Sequence, residues 1–210
     1  MAERAPTPST PPTSMGKIFG TGLHRTATTS LNRALDDLGL RSKHAPFGLF
    51  EDLDHEVGGQ YDAFTDLPVP LLYRALDEKF PGSLFIHTER DVDDWLASVE
   101  WLFTEGRLHF HWKAQPVVAE IHEALYGTTT FDAPVLRERY QRHNRAVRRY
   151  FADRPDRLLV MDITAGDGWD ALCPFLDEEI PEQAFPSTNA AAPLHPHSLR
   201  NRLRAFFRFW

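Results

Sequence analysis

Short apolar runs alternate with amphipathic stretches along most of this chain. Lys17-Ile18-Phe19-Gly20 reads as a first strand. Residues 28–38 set Leu31, Leu35 and Leu38 on one helical stripe, and Gly39 stops the helix as a C-cap. Tyr61-Asp62-Ala63-Phe64-Thr65-Asp66 reads as a short strand. Residues 70–80 read as a helix with Leu71, Leu72, Leu76 and Phe80 inward, halted by Pro81-Gly82. Leu84-Phe85-Ile86-His87-Thr88 is an apolar strand. Asp91 is the expected N-cap of the helix that follows, with Asp93 and Asp94 in its first turn, where carboxylates complement the dipole. That helix continues over 94–105, while 101–131 is aromatic and only weakly periodic. Residues 134–151 form a long basic helix with Leu136, Tyr140, His143, Val147 and Tyr150 at helical spacing. A further strand covers 157–162, and Asp167-Gly168-Trp169 opens a helix to Leu176. No internal repeat stands out. Strands alternating with helices predict an α/β fold: a central parallel sheet flanked by helices in three layers, with ligands at the strand C-terminal ends.

Composition fits this picture. At 210 residues, 42% hydrophobic and 12% aromatic, the chain supports one substantial core. A single cysteine, Cys173, excludes an internal disulfide framework and points to a reducing compartment; its place on an apolar helix face reads as a buried thiol. No apolar run reaches membrane-spanning length and no hydrophobic signal core is present, so no integral membrane segment and a cytoplasmic location are expected. A net charge of −7 argues against nucleic-acid binding by the surface as a whole. The charge is uneven. Residues 195–210 carry Arg200, Arg202, Arg204 and Arg208 with no acid, leaving −11 on residues 1–194. The expected division is a Pro/Ser/Thr-rich disordered leader at 1–14, an α/β domain at 15–190, and a basic aromatic tail at 191–210. The tail's alternatives are docking on the acidic body, capping an acceptor cleft, self-association as a homodimer, or contact with an anionic surface.

The sharpest chemistry follows the first strand. In Gly20-Thr21-Gly22-Leu23-His24-Arg25-Thr26-Ala27-Thr28-Thr29-Ser30-Leu31 a strand end hands over to a helix N-terminus, where unpaired amides and the macrodipole favour an anion. Gly20 and Gly22 permit a tight turn, Arg25 supplies a planar permanent charge, and the threonines add hydroxyls. The loop lacks the second Gly and the Lys of the nucleoside-triphosphate P-loop pattern. A second signal lies at Arg90, at a strand end, with Ser98 eight residues on, about two helical turns away.

These residues resemble the sulfotransferases that use 3′-phosphoadenosine-5′-phosphosulfate (PAPS), a family with a P-loop-like fold. Arg25-Thr26-Ala27-Thr28-Thr29 resembles their 5′-phosphosulfate loop, with Ala27 where the family usually has Gly. Arg90 and Ser98 resemble the pair that binds the 3′-phosphate. Tyr140-Gln141-Arg142-His143-Asn144, Gly166-Asp167-Gly168-Trp169 and Phe185-Pro186-Ser187-Thr188-Asn189 resemble the C-terminal half of small members. The resemblance implies PAPS as donor and 3′-phosphoadenosine-5′-phosphate (PAP) as product, bound through Gly22, His24, Arg25, Thr26, Ala27, Thr28, Thr29, Ser30, Arg90 and Ser98. It implies in-line transfer of a sulfuryl group to a hydroxyl of a small-molecule acceptor, with no metal required and with Arg25 stabilising charge on the leaving group.

A general base should take the acceptor's proton. Cytosolic members carry a His in a His-Leu-Pro segment, and Thr65-Asp66-Leu67-Pro68 occupies the comparable place, making Asp66 the first candidate. Carbohydrate sulfotransferases use a Glu beyond the loop, where this chain has His44, Glu51, Asp52 and His55; His44 is the second candidate because imidazole titrates near neutrality. His87, His109, His111 and His122 lack the carboxylate pattern of a metal site. Two other functions stay open at this point: an ATP-dependent small-molecule kinase, with Asp162 ending a strand as metal ligand, and a non-catalytic nucleotide-binding protein. The aromatic segment 101–131 reads either as core or as a lid over a phenolic or otherwise hydroxylated acceptor, a sugar being the alternative.

Overall fold

A computed structural model describes residues 16–58, 60–104 and 116–187; the leader and the basic tail lie outside the described residues. Five strands, β1 (Ile18–Gly20), β2 (Ser42–His44), β3 (Ala63–Thr65), β4 (Leu84–Thr88) and β5 (Leu158–Met161), form one parallel sheet in the order β2-β3-β1-β4-β5. The helices are α1 (Thr28–Asp37), α2 (Leu53–Val57), α3 (Val69–Lys79), α4 (Val92–Thr104), α5 (Pro116–Tyr126), α6 (Ala133–Tyr150) and α7 (Trp169–Leu176). The architecture is the three-layer α/β, P-loop-like one that the alternation predicts.

The period-2 geometry of the strands divides the core. Ile18, Ala63, Ile86 and Met161 point to one face and pack with Leu31, Ala34 and Leu35 of α1 and with Leu172, Cys173 and Leu176 of α7. Their neighbours Phe19, Phe64 and Phe85 point to the other face, against Val69, Tyr73 and Leu76 of α3 and Val147 of α6. The Phe19 ring lies 5.8 Å from Phe64 and 5.5 Å from Phe85. Each of these fully buried side chains contributes roughly 1.5–3 kcal/mol of hydrophobic stabilisation, so the three inner strands are held from both sides.

The helix ends follow their local chemistry. Gly39 takes φ +84°, and the amides of Gly39 and Leu40 return to Asp36 and Leu35, a Schellman closure of α1. Asp91 Oδ1 accepts from the amides of Asp93 and Asp94, and Asp132 Oδ1 from that of Val135. Three departures from the sequence expectation have plain causes. Strand β2 is the polar, half-buried edge segment Ser42-Lys43-His44, which carries no apolar signal. In α3 Leu76 is buried and Leu72 and Phe80 pack partly buried against the core as expected, but Leu71 is half-exposed and Val69 and Tyr73 complete the inward face. Within the weakly periodic segment, 116–126 is helix α5, whose Val118, Ile121, His122 and Tyr126 are buried; residues 105–115, with His109 and His111, lie outside the described residues.

A third apolar cluster matters most for the site. Leu23, Trp95, Leu96, Val99, Tyr126, Leu136 and Tyr140 join α4, α5 and α6 beside the C-terminal ends of β1 and β4. Trp95 and Tyr140 stack at 4.4 Å, and the Tyr140 hydroxyl both donates to the Arg90 carbonyl (2.6 Å) and accepts from the Arg90 amide (2.7 Å). The end of β4 is thereby fixed. Among the described residues, no helix is long and apolar enough to cross a membrane.

Candidate active site

The loop from β1 to α1 is folded tightly against the end of β4. Thr26 Oγ1 donates to the Leu23 carbonyl (2.6 Å) and lies 2.6 Å from Thr88 Oγ1, which donates to it in turn. Thr26 is fully buried, so its hydroxyl shapes the loop rather than facing a ligand. A Cβ at Gly22 would sit 1.9 Å from Thr88 Oγ1 and 2.6 Å from the Thr88 carbonyl, so only glycine lets the loop pass this close. Arg25 and Ala27 both adopt left-handed backbone, with φ +69° and +67°. Ala27 is the N-cap of α1, makes no side-chain capping bond, and no acid occupies the first turn. The N-terminus of α1 is therefore free of competing side-chain caps, which suits a bound anion.

The two sequence signals meet here. Arg25 Nε donates to Ser98 Oγ (2.8 Å), its guanidinium lies 5.5 Å from the centre of the Trp101 ring, and Arg90 Nη1 donates to the Arg25 carbonyl (3.4 Å). Arg25 thus reaches across to the serine expected to serve the other subsite. Neither arginine is paired with a carboxylate among the described residues, and Arg90 Nε is buried with no hydrogen-bond partner. Burial, then the like charge of Arg90, lower the Arg25 pKa. Two cations held together without an acid form a seat for an anion.

On the β2 side, the two base candidates form a single pair. His44 Nε2 lies 3.1 Å from Asp66 Oδ2 and 3.4 Å from Thr29 Oγ1; His44 Nδ1 lies 3.1 Å from Thr65 Oγ1, which donates to Asn32 Oδ1 (2.9 Å). Burial opposes a charge on His44, but the hydrogen bond and charge of Asp66 outweigh it and hold the imidazole above its ordinary value. Burial likewise works to raise Asp66, yet the His44 hydrogen bond and charge bring the carboxyl below the ordinary carboxylate value. Each member of the pair favours the charged form of the other, and each His44 ring nitrogen has an oxygen within hydrogen-bond reach. Asp66 Oδ1 is buried and makes no hydrogen bond among the described residues. Asp66 takes φ +70°, a conformation uncommon for a residue with a side chain. Glu51 and Asp52 are exposed, and the His55 side chain lies outside the described residues.

Other side chains singled out in the sequence lie around the site, and His24, expected to help bind the donor, is buried against Tyr126. His24 turns away from the loop mouth into the third cluster, where its Nδ1 lies 2.9 Å from the Tyr126 hydroxyl and its carbonyl accepts from Trp95 Nε1 (3.0 Å). Burial, and then His122, lower its pKa to about 3. Behind β4, His87 joins Thr21 Oγ1 (3.0 Å) to Glu89 (3.3 Å), and Arg148 grips Glu89 through two bonds of 2.8 Å. Burial would raise Glu89, but Arg148 and His87 lower it to about 2. His143 Nε2 meets the Thr21 carbonyl at 2.8 Å, supporting the loop from beneath. Asp162 Oδ1 accepts from the Thr164 amide and hydroxyl and the Ala165 amide, so this carboxylate caps a turn. Among the described residues, no group of three or more His, Cys, Asp or Glu is arranged to hold a metal ion.

Comparison with known proteins adds two findings. Residues 49–194 match the family model described as "Sulfotransferase domain". The match includes Asp66, Arg90 and Ser98 and begins after the Arg25 loop, so it is independent of the loop pattern. "Ava biosynthesis cluster protein M" of Aspergillus versicolor is 26% identical over 214 residues, covering 81% of this chain and 79% of that protein.

Proposed function

The chain belongs to the sulfotransferase domain family, and from that premise we propose that it moves a sulfuryl group from PAPS to a hydroxyl of a small-molecule acceptor. The observation that carries this reading is the meeting of Arg25 and Arg90, neither with a carboxylate partner among the described residues, in the loop that leads into the uncapped start of α1. The residues fit such a donor: among the described residues Arg90 Nε is a buried donor without an acceptor, and the Gly22 cradle has no room for a side chain. Arg25 and the first-turn amides of Thr28, Thr29 and Ser30 hold the 5′ end, and Arg90 with Ser98 the 3′-phosphate. When bound, PAPS supplies an activated sulfuryl group whose leaving group is the 5′-phosphate of PAP.

The chain's own part is positioning and proton handling. Asp66 takes the acceptor's hydroxyl proton on Oδ1, the one carboxylate oxygen free of His44. His44 has both ring nitrogens engaged, so it orients Asp66 and links it to Thr29 at the donor loop. Arg25 stabilises negative charge at the leaving oxygen. The kinase alternative gains nothing from Asp162, whose carboxylate serves a turn.

The test is calorimetric titration with PAP in the absence of metal, beside ATP with Mg²⁺. Micromolar or tighter PAP binding without metal, and none by ATP, is expected. Binding of ATP with Mg²⁺ alone sinks the proposal and puts the kinase first. PAP binding with no sulfated product from any hydroxyl acceptor favours a non-catalytic nucleotide-binding protein.

A further inference from the structure

The exposed side of α6 runs against the net charge of the molecule. The chain carries −7, yet Arg74 of α3 and Arg142, Arg145 and Arg149 of α6 line one open cavity of about 800 Å³. The α6 arginines stand at i, i+3 and i+7, the spacing that puts side chains along one stripe of a helix. Ala146 and Tyr150 line the same cavity and give it apolar surface, and the Arg74 guanidinium lies 5.2 Å from the centre of the Tyr150 ring. Little neutralises these cations. Arg142 approaches Glu138 at 3.6 Å, and the cavity's acid, Asp153, lies 3.6 Å from Arg154. Arg145 and Arg149 meet no carboxylate among the described residues. A groove with cations and apolar surface together fits an acidic segment that also offers an apolar side chain.

The chain itself holds such a segment on its other layer. Asp177, Glu178, Glu179 and Glu182 are exposed around Ile180, which is 54% exposed and is the large hydrophobic side chain left in solvent among the described residues. None of these four acids pairs with a cation among the described residues. The run is held at both ends. The Glu178 amide returns to the Cys173 carbonyl at the close of α7, and Trp169 Nε1 donates to the Gln183 carbonyl (2.8 Å) just beyond. Helix α7 packs on the Ile18 and Ile86 face of the sheet, whereas α3 and α6 pack on the Phe19 and Phe85 face. The acidic run and the basic groove of one copy therefore lie on opposite layers.

We propose that this chain associates with itself head to tail, the acidic run around Ile180 of one copy seating in the Arg142, Arg145 and Arg149 groove of the next. Each such contact leaves a free run at one end and a free groove at the other, so assembly continues past the dimer. The patches are small and charged, which makes the contact weak and dependent on salt. It is independent of the sulfuryl-transfer reading.

The test is sedimentation of the full chain at about 100 µM, a concentration suited to a small interface. In dilute buffer the mass should exceed that of a dimer, and in about 1 M NaCl, where the Debye length is about 3 Å, it should return to the monomer. Arg145→Glu with Arg149→Glu should weaken association at least ~100-fold, and Glu178→Arg with Glu179→Arg should do the same. All four changes in one chain reverse both patches and should restore association to within about tenfold of the wild type. Ile180→Ser, a milder change, covers the case in which a reversal does not fold, and should weaken association ~10-fold. A wild type that stays monomeric in dilute buffer overturns the proposal, leaving the groove to a different partner or the acidic run to the arginines of residues 195–210. Association that survives either reversal, or that the four changes together fail to restore, overturns the pairing. A mass that stops at the dimer overturns the head-to-tail arrangement.

Discussion

The β4 side and the β2 side of the site treat charge in opposite ways. On the β4 side, Arg25 and Arg90 are drawn together with Ser98 and Trp101 and meet no carboxylate among the described residues. On the β2 side, His44 and Asp66 close on each other, and the chain continues through Thr65 to Asn32. Unneutralised cations are a binding device: their repulsion is relieved only when an anion arrives. A closed ion pair is a chemical device: its charge is already balanced, and what remains is one carboxylate oxygen free to move a proton. The α1 loop touches both, with Arg25 at its start and Thr29, 3.4 Å from His44 Nε2, at its end. Donor affinity and proton transfer should therefore separate under mutation.

The largest separation is expected at Asp66. Asp66→Asn keeps the shape of the side chain and removes its basicity, and should lower kcat by about 10³, or ~4 kcal/mol in the barrier. PAP affinity, measured by calorimetry, should stay within about threefold, because the arginines are untouched. The acid limb of the wild-type rate profile should lie below the ordinary carboxylate range, following the lowered Asp66 pKa. Equal losses in PAP affinity and kcat would break the comparison, since the two sides would then be one unit.

Arg90→Ala is the reciprocal experiment and the next in size. It removes a guanidinium whose Nε is buried without a partner, and a charged hydrogen bond to phosphate is worth about 1.5–3 kcal/mol. PAP affinity should fall by roughly 10- to 150-fold, while the rate at saturating donor changes little. A kcat loss as large as that of Asp66→Asn would move Arg90 from holding the donor to stabilising the transferring group.

This division was only half legible in the sequence. The inner strands announce themselves because Ile18-Phe19, Ala63-Phe64 and Phe85-Ile86 are apolar on both faces, and the Arg25 loop and the Arg90 and Ser98 spacing are local patterns. Asp66 and His44 were legible as separate residues in rival roles. Their pairing was not, because it depends on β2 lying beside β3 at the edge of the sheet, and Ser42-Lys43-His44 has no apolar pattern to reveal a strand. The environment of His24 was hidden for the same kind of reason. Its partner Tyr126 lies 102 residues away on a helix whose buried face, Val118, Ile121, His122 and Tyr126, is too mixed to read as a stripe. Local chemistry can be read along the chain, whereas long-range complementarity arises from the packing.

The smallest effect sharpens the comparison at the junction of the two sides. Ala27 sits between Arg25 and Thr29 with φ +67° and ψ +29°, a left-handed conformation that costs a residue with a Cβ about 1–2 kcal/mol. Its methyl is half-exposed, so removing it sacrifices little packing. Glycine at this position gives up roughly 0.5–1 kcal/mol through the greater freedom of the unfolded chain, which offsets part of the relief. Ala27→Gly should therefore stabilise the fold by about 0.5–1 kcal/mol, seen as a higher denaturation midpoint at unchanged slope. Glycine also serves well as an N-cap, so both PAP affinity and kcat should stay within about threefold of the wild type. A stability gain with both functions intact would mean that the strain at Ala27 is local to the turn. A gain in stability accompanied by a loss of kcat alone would mean that the strained turn holds Thr29 against His44, and that the loop transmits its geometry to the proton-handling side.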